Sequence, residues 1–96
     1  MHGEYKMPGG KLIVVDLTVT DGCLTDVQVS GDFFLEPDEA LHAIDAALEG
    51  QRVTADEHML AAAVRAQLAP GVMMYGISPE AIAVAVRRAI DQGPAT

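Results

Sequence analysis

The chain's only two lysines, Lys6 and Lys11, flank the four residues Met7-Pro8-Gly9-Gly10. Pro8 presets one turn angle and the paired glycines accept positive φ, so the backbone can reverse sharply there and leave amides exposed beside two ammonium groups. That is the chemistry of anion contact, with Lys6, Gly9, Gly10 and Lys11 as the residues that would make it. The plainer reading is a turn that opens a hairpin, with both lysines as solubilising charges, because Pro-Gly-Gly lacks the spacing of a full phosphate cradle.

Other chemistry-bearing residues are sparse. Cys23 is the single cysteine, so no internal disulfide or cysteine-based metal site can form, and a reducing cytoplasm is the compartment that fits. Cys23 reads as a small buried hydrophobe. The alternative is a reactive thiol or sulfur carrier, although no basic residue or helix start lies nearby in sequence to lower its pKa. His42 and His58 fall one on each of two expected helices, without the four-residue spacing of a helical metal-binding pair, and His2 belongs to an expected mobile start. All three read as surface histidines, and no metal site is assigned. With no nucleophile-base-acid set, Walker loop or dinucleotide fingerprint, no catalytic residue is assigned either.

Two apolar segments could serve recognition. In Ser30-Gly31-Asp32-Phe33-Phe34-Leu35, Gly31 permits a bend and Asp32 can bond to turn amides. If the strand continues, Phe33 and Phe34 point to opposite faces, so one is core and the other packs beneath the helices or is offered to a partner. Met73-Met74-Tyr75 reads as a hydrophobic plug over the core, with a binding lip as the alternative.

The elements that must position these residues follow from periodicity. Ile13, Val15, Leu17 and Val19 alternate with Asp16, Thr18 and Thr20, which makes residues 11–19 a strand with one buried face. A second strand runs from Cys23 to about Gly31. If both apolar rows share one face, odd positions must meet odd ones. That favours a three-residue loop Thr20-Asp21-Gly22 and pairs Val19 with Cys23, Leu17 with Thr25 and Val15 with Val27, leaving Cys23 on the apolar side. Three helices follow. Glu36-Pro37-Asp38-Glu39 starts the first, with Leu41, Ile44 and Leu48 as its stripe and Gly50 as its stop. Thr54-Ala55-Asp56-Glu57 is a capping box opening the second, with Leu60, Ala63 and Val64 inward. Ser78-Pro79-Glu80 opens the third, with Ile82, Ala85, Val86 and Ala89 inward, Arg87, Arg88 and Asp91 outward, and Gly93-Pro94 as its end.

Ninety-six residues suit a single domain, 1–96, that buries a little over about 60% of its extended surface. The net charge of −8 is concentrated between residues 32 and 60, which reads as a solvated helical face or a partner-docking patch. Nucleic acid is disfavoured, since Arg87-Arg88 is the only adjacent basic pair. Neither a signal peptide nor a bilayer-spanning run is visible, so no membrane association is expected. The sequence thus describes an α+β domain: an antiparallel hairpin sheet of about three strands, followed by three helices packed on it.

The run Tyr5-Lys6-Met7-Pro8-Gly9-Gly10-Lys11-Leu12-Ile13, then the hairpin, then Ser30-Gly31-Asp32-Phe33-Phe34 and a Pro-acid helix start, resembles the C-terminal accessory domain of lipoate-protein ligases, over nearly the whole chain. Its free-standing length is similar to that of the small subunit of bipartite ligases. The resemblance implies a fold like that of sulfur-acceptor and iron-sulfur scaffold proteins. It also implies a heterodimer with a separate catalytic subunit, which binds lipoate and Mg-ATP, forms lipoyl-adenylate and transfers the lipoyl group to a lysine of an acceptor domain met transiently. The large domain's lipoate loop and adenylate-binding lysine region have no counterpart here. This chain is therefore expected to be catalytically silent alone, to bind no cofactor by itself, and to be needed for adenylation. The resemblance does not itself assign site residues: charge makes Lys6, Gly9, Gly10 and Lys11 the expected adenylate-proximal residues, and Tyr5, Asp32, Phe33 and Phe34 are the expected partner-interface ones. Two alternatives stay open: a sulfur-transfer or cluster-scaffold protein using Cys23, and an interaction module unrelated to lipoate.

Overall fold

A computed structural model of the chain describes residues 1–92. It is built of β1 (His2–Lys6), β2 (Leu12–Thr20), β3 (Cys23–Gly31), β4 (Phe34–Glu36), α1 (Ala40–Leu48), α2 (Glu57–Gln67), β5 (Met73–Tyr75) and α3 (Pro79–Gln92). The class is the expected one: a three-stranded antiparallel sheet, β1-β2-β3, carries the helices. A separate two-stranded ribbon pairs β4 with β5. α3 lies across β1 and β2, α1 lies along β3, and α2 packs on both of these helices. No helix of the described residues is long and apolar enough to cross a membrane.

The expected rows build the core. Ile13, Val15 and Leu17 on β2, Val27 and Val29 on β3, Ile44 and Leu48 on α1, Leu60 and Val64 on α2, and Ile82, Ala85, Val86 and Ala89 on α3 are all buried. The alanine-rich face of α3 has a specific purpose. It lets the helix backbone approach β1 so closely that a Cβ on Gly3 would stand 2.5 Å from the Ala85 carbonyl oxygen and 2.8 Å from the Ala89 Cα. Only glycine fits there.

The hairpin register differs from the expected one. Odd positions do meet odd positions at Val15↔Val29, but the tip is a two-residue Asp21-Gly22 turn with Thr20 opposite Cys23 and Val19 opposite Leu24. The compensating extra residue sits mid-strand. Leu17 faces two residues, Asp26 and Val27, and Asp26 takes a positive φ of 50° that a bulge tolerates. The alternation therefore flips at Asp26, so Leu24 is fully buried while Cys23 is half-buried, on the wetter side with Thr20.

Other boundaries move for local reasons. β1 was hidden by its glycine and its charges; the alternation His2, Glu4, Lys6 out and Gly3 in makes it an edge strand, and His2 is held in it, not mobile. α1 begins at Ala40, not at Pro37, after a turn in which the Ala40, Leu41 and His42 amides donate to the Pro37, Asp38 and Glu39 carbonyls. The cap of α2 is Asp56, whose carboxylate accepts from the Met59 amide at 2.8 Å, in place of Thr54. Ala61 is buried there, and Ala63 only half so. Arg87 is half-buried: its guanidinium donates to the Val53 and Ala55 carbonyls at 2.6 and 3.1 Å and to Asp91 at 2.8 Å, clamping the α2 approach to α3. The expected stop at Gly93-Pro94 lies outside the described residues.

Candidate functional site

The lysine loop is a tight turn. The Gly10 amide donates to the Met7 carbonyl at 2.9 Å and Gly9 has φ 70°, which with Pro8 ahead of it is a type II turn. β1 enters at Lys6, opposite Leu12, and β2 leaves at Lys11, so both ammonium groups stand exposed on the same short reversal. Neither lysine belongs to an ion pair among the described residues.

Tertiary contacts bring the second candidate segment to this turn. Just past β3, the Asp32 amide donates to the Leu12 carbonyl at 3.3 Å; just past β5, the Gly76 carbonyl accepts from the Lys11 amide at 3.4 Å. Two glycines permit the crossing. A Cβ on Gly31 would collide with the Leu12 carbonyl, and one on Gly76 with the Lys11 side chain; Gly76 also adopts φ 77°. Lys6, Lys11, Asp32 and the β4–β5 ribbon therefore share one end of the molecule.

The ribbon divides its side chains by strand alternation. Leu35 and Met74, which face each other, turn to the core. Their neighbours form cross-strand pairs on the opposite face, Phe34 with Tyr75 and Glu36 with Met73. Phe34 is 70% exposed, Met73 49% and Tyr75 46%. Phe33 is half-buried against the core, so Phe34 is the aromatic turned outward. The plug reading of Met73-Met74-Tyr75 holds for Met74 alone. A three-residue strand is too short to show its period in sequence, so the sequence does not divide the plug from the alternative lip; Met73 and Tyr75 are the residues turned outward.

Tyr5 is placed differently from the other candidates. Its ring lies half-buried beneath the Arg88 guanidinium, 4.8 Å from the ring centroid, and Arg88 also donates to the Glu4 carbonyl at 3.1 Å. That contact fastens β1 to α3. Cys23 and the three histidines lie apart from the lysine turn: Cys23 bridges to Arg52 at the far end of β2, and His42 and His58 are exposed on α1 and α2. His2 bonds Glu4 and Asp16 at 2.7 Å each, and these bonds, Glu4 first, raise its pKa above the ordinary 6.5. Among the described residues no group of three His, Cys, Asp or Glu side chains is arranged to hold a metal ion.

The turn does not leave its amides free as expected, because those of Gly10 and Lys11 are bonded to the Met7 and Gly76 carbonyls; this end offers two cations, the Gly9 amide and an apolar strand face. No protein-family model matches the sequence, and no curated protein does. Among solved structures the chain is similar to one from an archaeal lipoylation system of Thermoplasma acidophilum, a bipartite lipoate protein ligase and its E2 lipoyl domain. The match has 27% identity and a TM-score of 0.69, and covers 91% of this chain and 98% of that one.

Proposed function

We propose that this chain is the non-catalytic small subunit of a bipartite lipoate-protein ligase. It binds a separate catalytic subunit in the cytoplasm and enables lipoate adenylation by Mg-ATP, with lipoyl transfer to an acceptor domain met transiently. The observation that carries this is the end-to-end likeness to a chain of a bipartite lipoylation system, nearly equal in extent on both sides. The lysine turn supplies a mechanism. Brought to the mouth of the catalytic subunit's site, Lys6 and Lys11 would offset triphosphate and adenylate charge, and exclusion of water at the closed interface would strengthen that contact well beyond its exposed worth. Lipoate, ATP and magnesium would be held chiefly by the catalytic subunit, and this chain's share is confined to the two ammonium groups and the Gly9 amide, since the Gly10 amide is committed to the Met7 carbonyl.

The test is lipoyl-adenylate formation by the candidate catalytic subunit, with and without this chain. Adenylation that appears only on its addition is the expected result, with Lys6→Ala and Lys11→Ala each lowering the rate. A catalytic subunit competent alone and unresponsive to the chain would overturn the proposal. So would a lipoyl mass gained on Lys6 or Lys11 themselves, which would make the chain an acceptor.

A further inference from the structure

We infer that the groove between the start of α1 and the α2–β5 connection is where the catalytic subunit docks, through a segment that carries lysine or arginine beside apolar side chains; this rests on the proposed function and specifies how that complex is held. The groove has a volume of about 430 Å³. Pro37, Ala43, Leu68, Ala69 and Val72 give it apolar walls, and Glu39 is the only charged side chain that lines it. It opens where the ribbon ends, since Pro37 follows β4 and Val72 precedes β5, whereas Asp32 and Gly76 stand at the ribbon's other end beside the lysine turn. A partner seated in the groove therefore leaves Lys6 and Lys11 uncovered.

Charge selects the occupant. Residues 36–49 include Glu36, Asp38, Glu39, Asp45 and Glu49 but neither lysine nor arginine. Asp45 and Glu49 already accept from the Val29 and Val27 amides. Glu36, Asp38 and Glu39 are exposed at the groove's mouth and form no ion pair among the described residues. An apolar segment without a cation would cover Glu39 uncompensated, and one with a carboxylate would add repulsion, whereas a basic side chain meets a negative field that the expulsion of water strengthens.

The helix ends that border the groove favour the same sign. α2 finishes at Gln67 with the Leu68 amide bonded to the Val64 carbonyl, and among the described residues no donor reaches the carbonyls of Arg65, Ala66 and Gln67. That end is the negative pole of the helix, with open acceptors for an ammonium or guanidinium group. The start of α1 offers no matching attraction to an anion, because the Ala40, Leu41 and His42 amides are taken by the Pro37, Asp38 and Glu39 carbonyls. Lipoate itself is thus a poor occupant despite its apolar chain, since nothing that lines the groove would hold its carboxylate. A second copy of this chain would bring its lysine turn together with a further net charge of −8, so repulsion between the copies opposes it.

NMR of the full chain labelled at its alanine methyls, titrated with the unlabelled candidate catalytic subunit, tests this alongside calorimetry of the complex. The Ala43 and Ala69 methyls should shift on binding. Glu39→Lys should weaken binding about tenfold and flatten its salt dependence. Glu57→Lys makes the same charge change in the first turn of α2, at the opposite end of that helix, and should weaken binding by less than about threefold. At saturating chain, Glu39→Lys should leave the adenylation rate intact, in contrast to the lysine-turn variants. A complex that forms with both methyls unmoved, or that is weakened equally by the two reversals, would refute the groove and leave the subunit assignment standing. No complex at all would remove both. A dimer of the free chain in sedimentation that Glu39→Lys dissolves would give the groove to a second copy and sink the inference.

Discussion

The main sheet and the ribbon are both antiparallel, yet they treat their edges in opposite ways. The β3 edge is covered by Asp45 of α1, by Glu49 just past it and by the segment that follows, while on β1 the Arg88 guanidinium takes the Glu4 carbonyl and α3 packs on the face. Among the described residues the ribbon strands make no backbone hydrogen bonds beyond their own ladder, and they turn Phe34, Met73 and Tyr75 outward. Exposed strand edges are an aggregation hazard that native chains usually blunt, so the contrast teaches where this molecule is finished and where it is built to meet something else.

Breaking the finished region should cost most. Gly3→Val places a branched side chain against the Ala85 and Ala89 backbone, where neither partner can give way. A loss of about 3 kcal/mol or more in urea unfolding is expected. If the variant were as stable as the wild type, the close docking of α3 on β1 would be wrong.

Opening the β3 edge comes next. Asp45→Ala with Glu49→Ala strands the Val27 and Val29 amides and should cost about 2 kcal/mol. It should also make β3 resemble the ribbon, with new self-association visible in light scattering.

Two titrations sharpen the picture further. Burial raises the Asp45 pKa above its ordinary 3.8, partly offset by the Val29 amide. The native state therefore takes up this proton before the unfolded chain does, so the group's relative contribution is present at low pH and is withdrawn as pH rises through the folded value. Asp45→Asn keeps an acceptor oxygen without the charge and should remove that component from the pH dependence of unfolding. His2 works in the same direction for a different cause. Its bonds to Glu4 and Asp16 stabilise the folded state fully below about 6.5, the unfolded value, and fade as pH climbs through the raised folded value. His2→Gln should flatten the thermal midpoint across that window. The site is exposed, so the change will be small.

The smallest stability effect belongs to the ribbon face. Phe34→Ala should alter unfolding by no more than about 0.5 kcal/mol, since its ring is mostly in solvent. A large loss would mean that Phe34 is structural and that the ribbon is less open than its exposure indicates.

Much of this was legible in the chain itself. The alternation of Ile13, Val15 and Leu17 and the 3.6-residue stripes of Ile44-Leu48, Leu60-Val64 and Ile82-Val86-Ala89 announce elements and core together, because side-chain periodicity and burial are one constraint seen twice. The lysine turn was equally plain, since Pro and Gly act through their own backbone limits. Within the candidate site, Phe34 was visible as an aromatic beside a bend, while Met73 and Tyr75 looked like part of a plug.

What the chain could not disclose were choices made between distant residues. The extra residue of the hairpin could sit at the tip or at Asp26 and satisfy the odd-to-odd rule either way; cross-strand packing put it at Asp26, burying Leu24 and not Cys23. β1 is a strand because α3 presents alanines to Gly3, and no local propensity encodes that fit. The meeting of Lys11 with Gly76 and of Leu12 with Asp32 joins residues far apart along the chain. Sequence determined the segments and their apolar faces through local sterics and solvation, whereas only the tertiary structure, through long-range contacts, decided which edges were closed and which was left open.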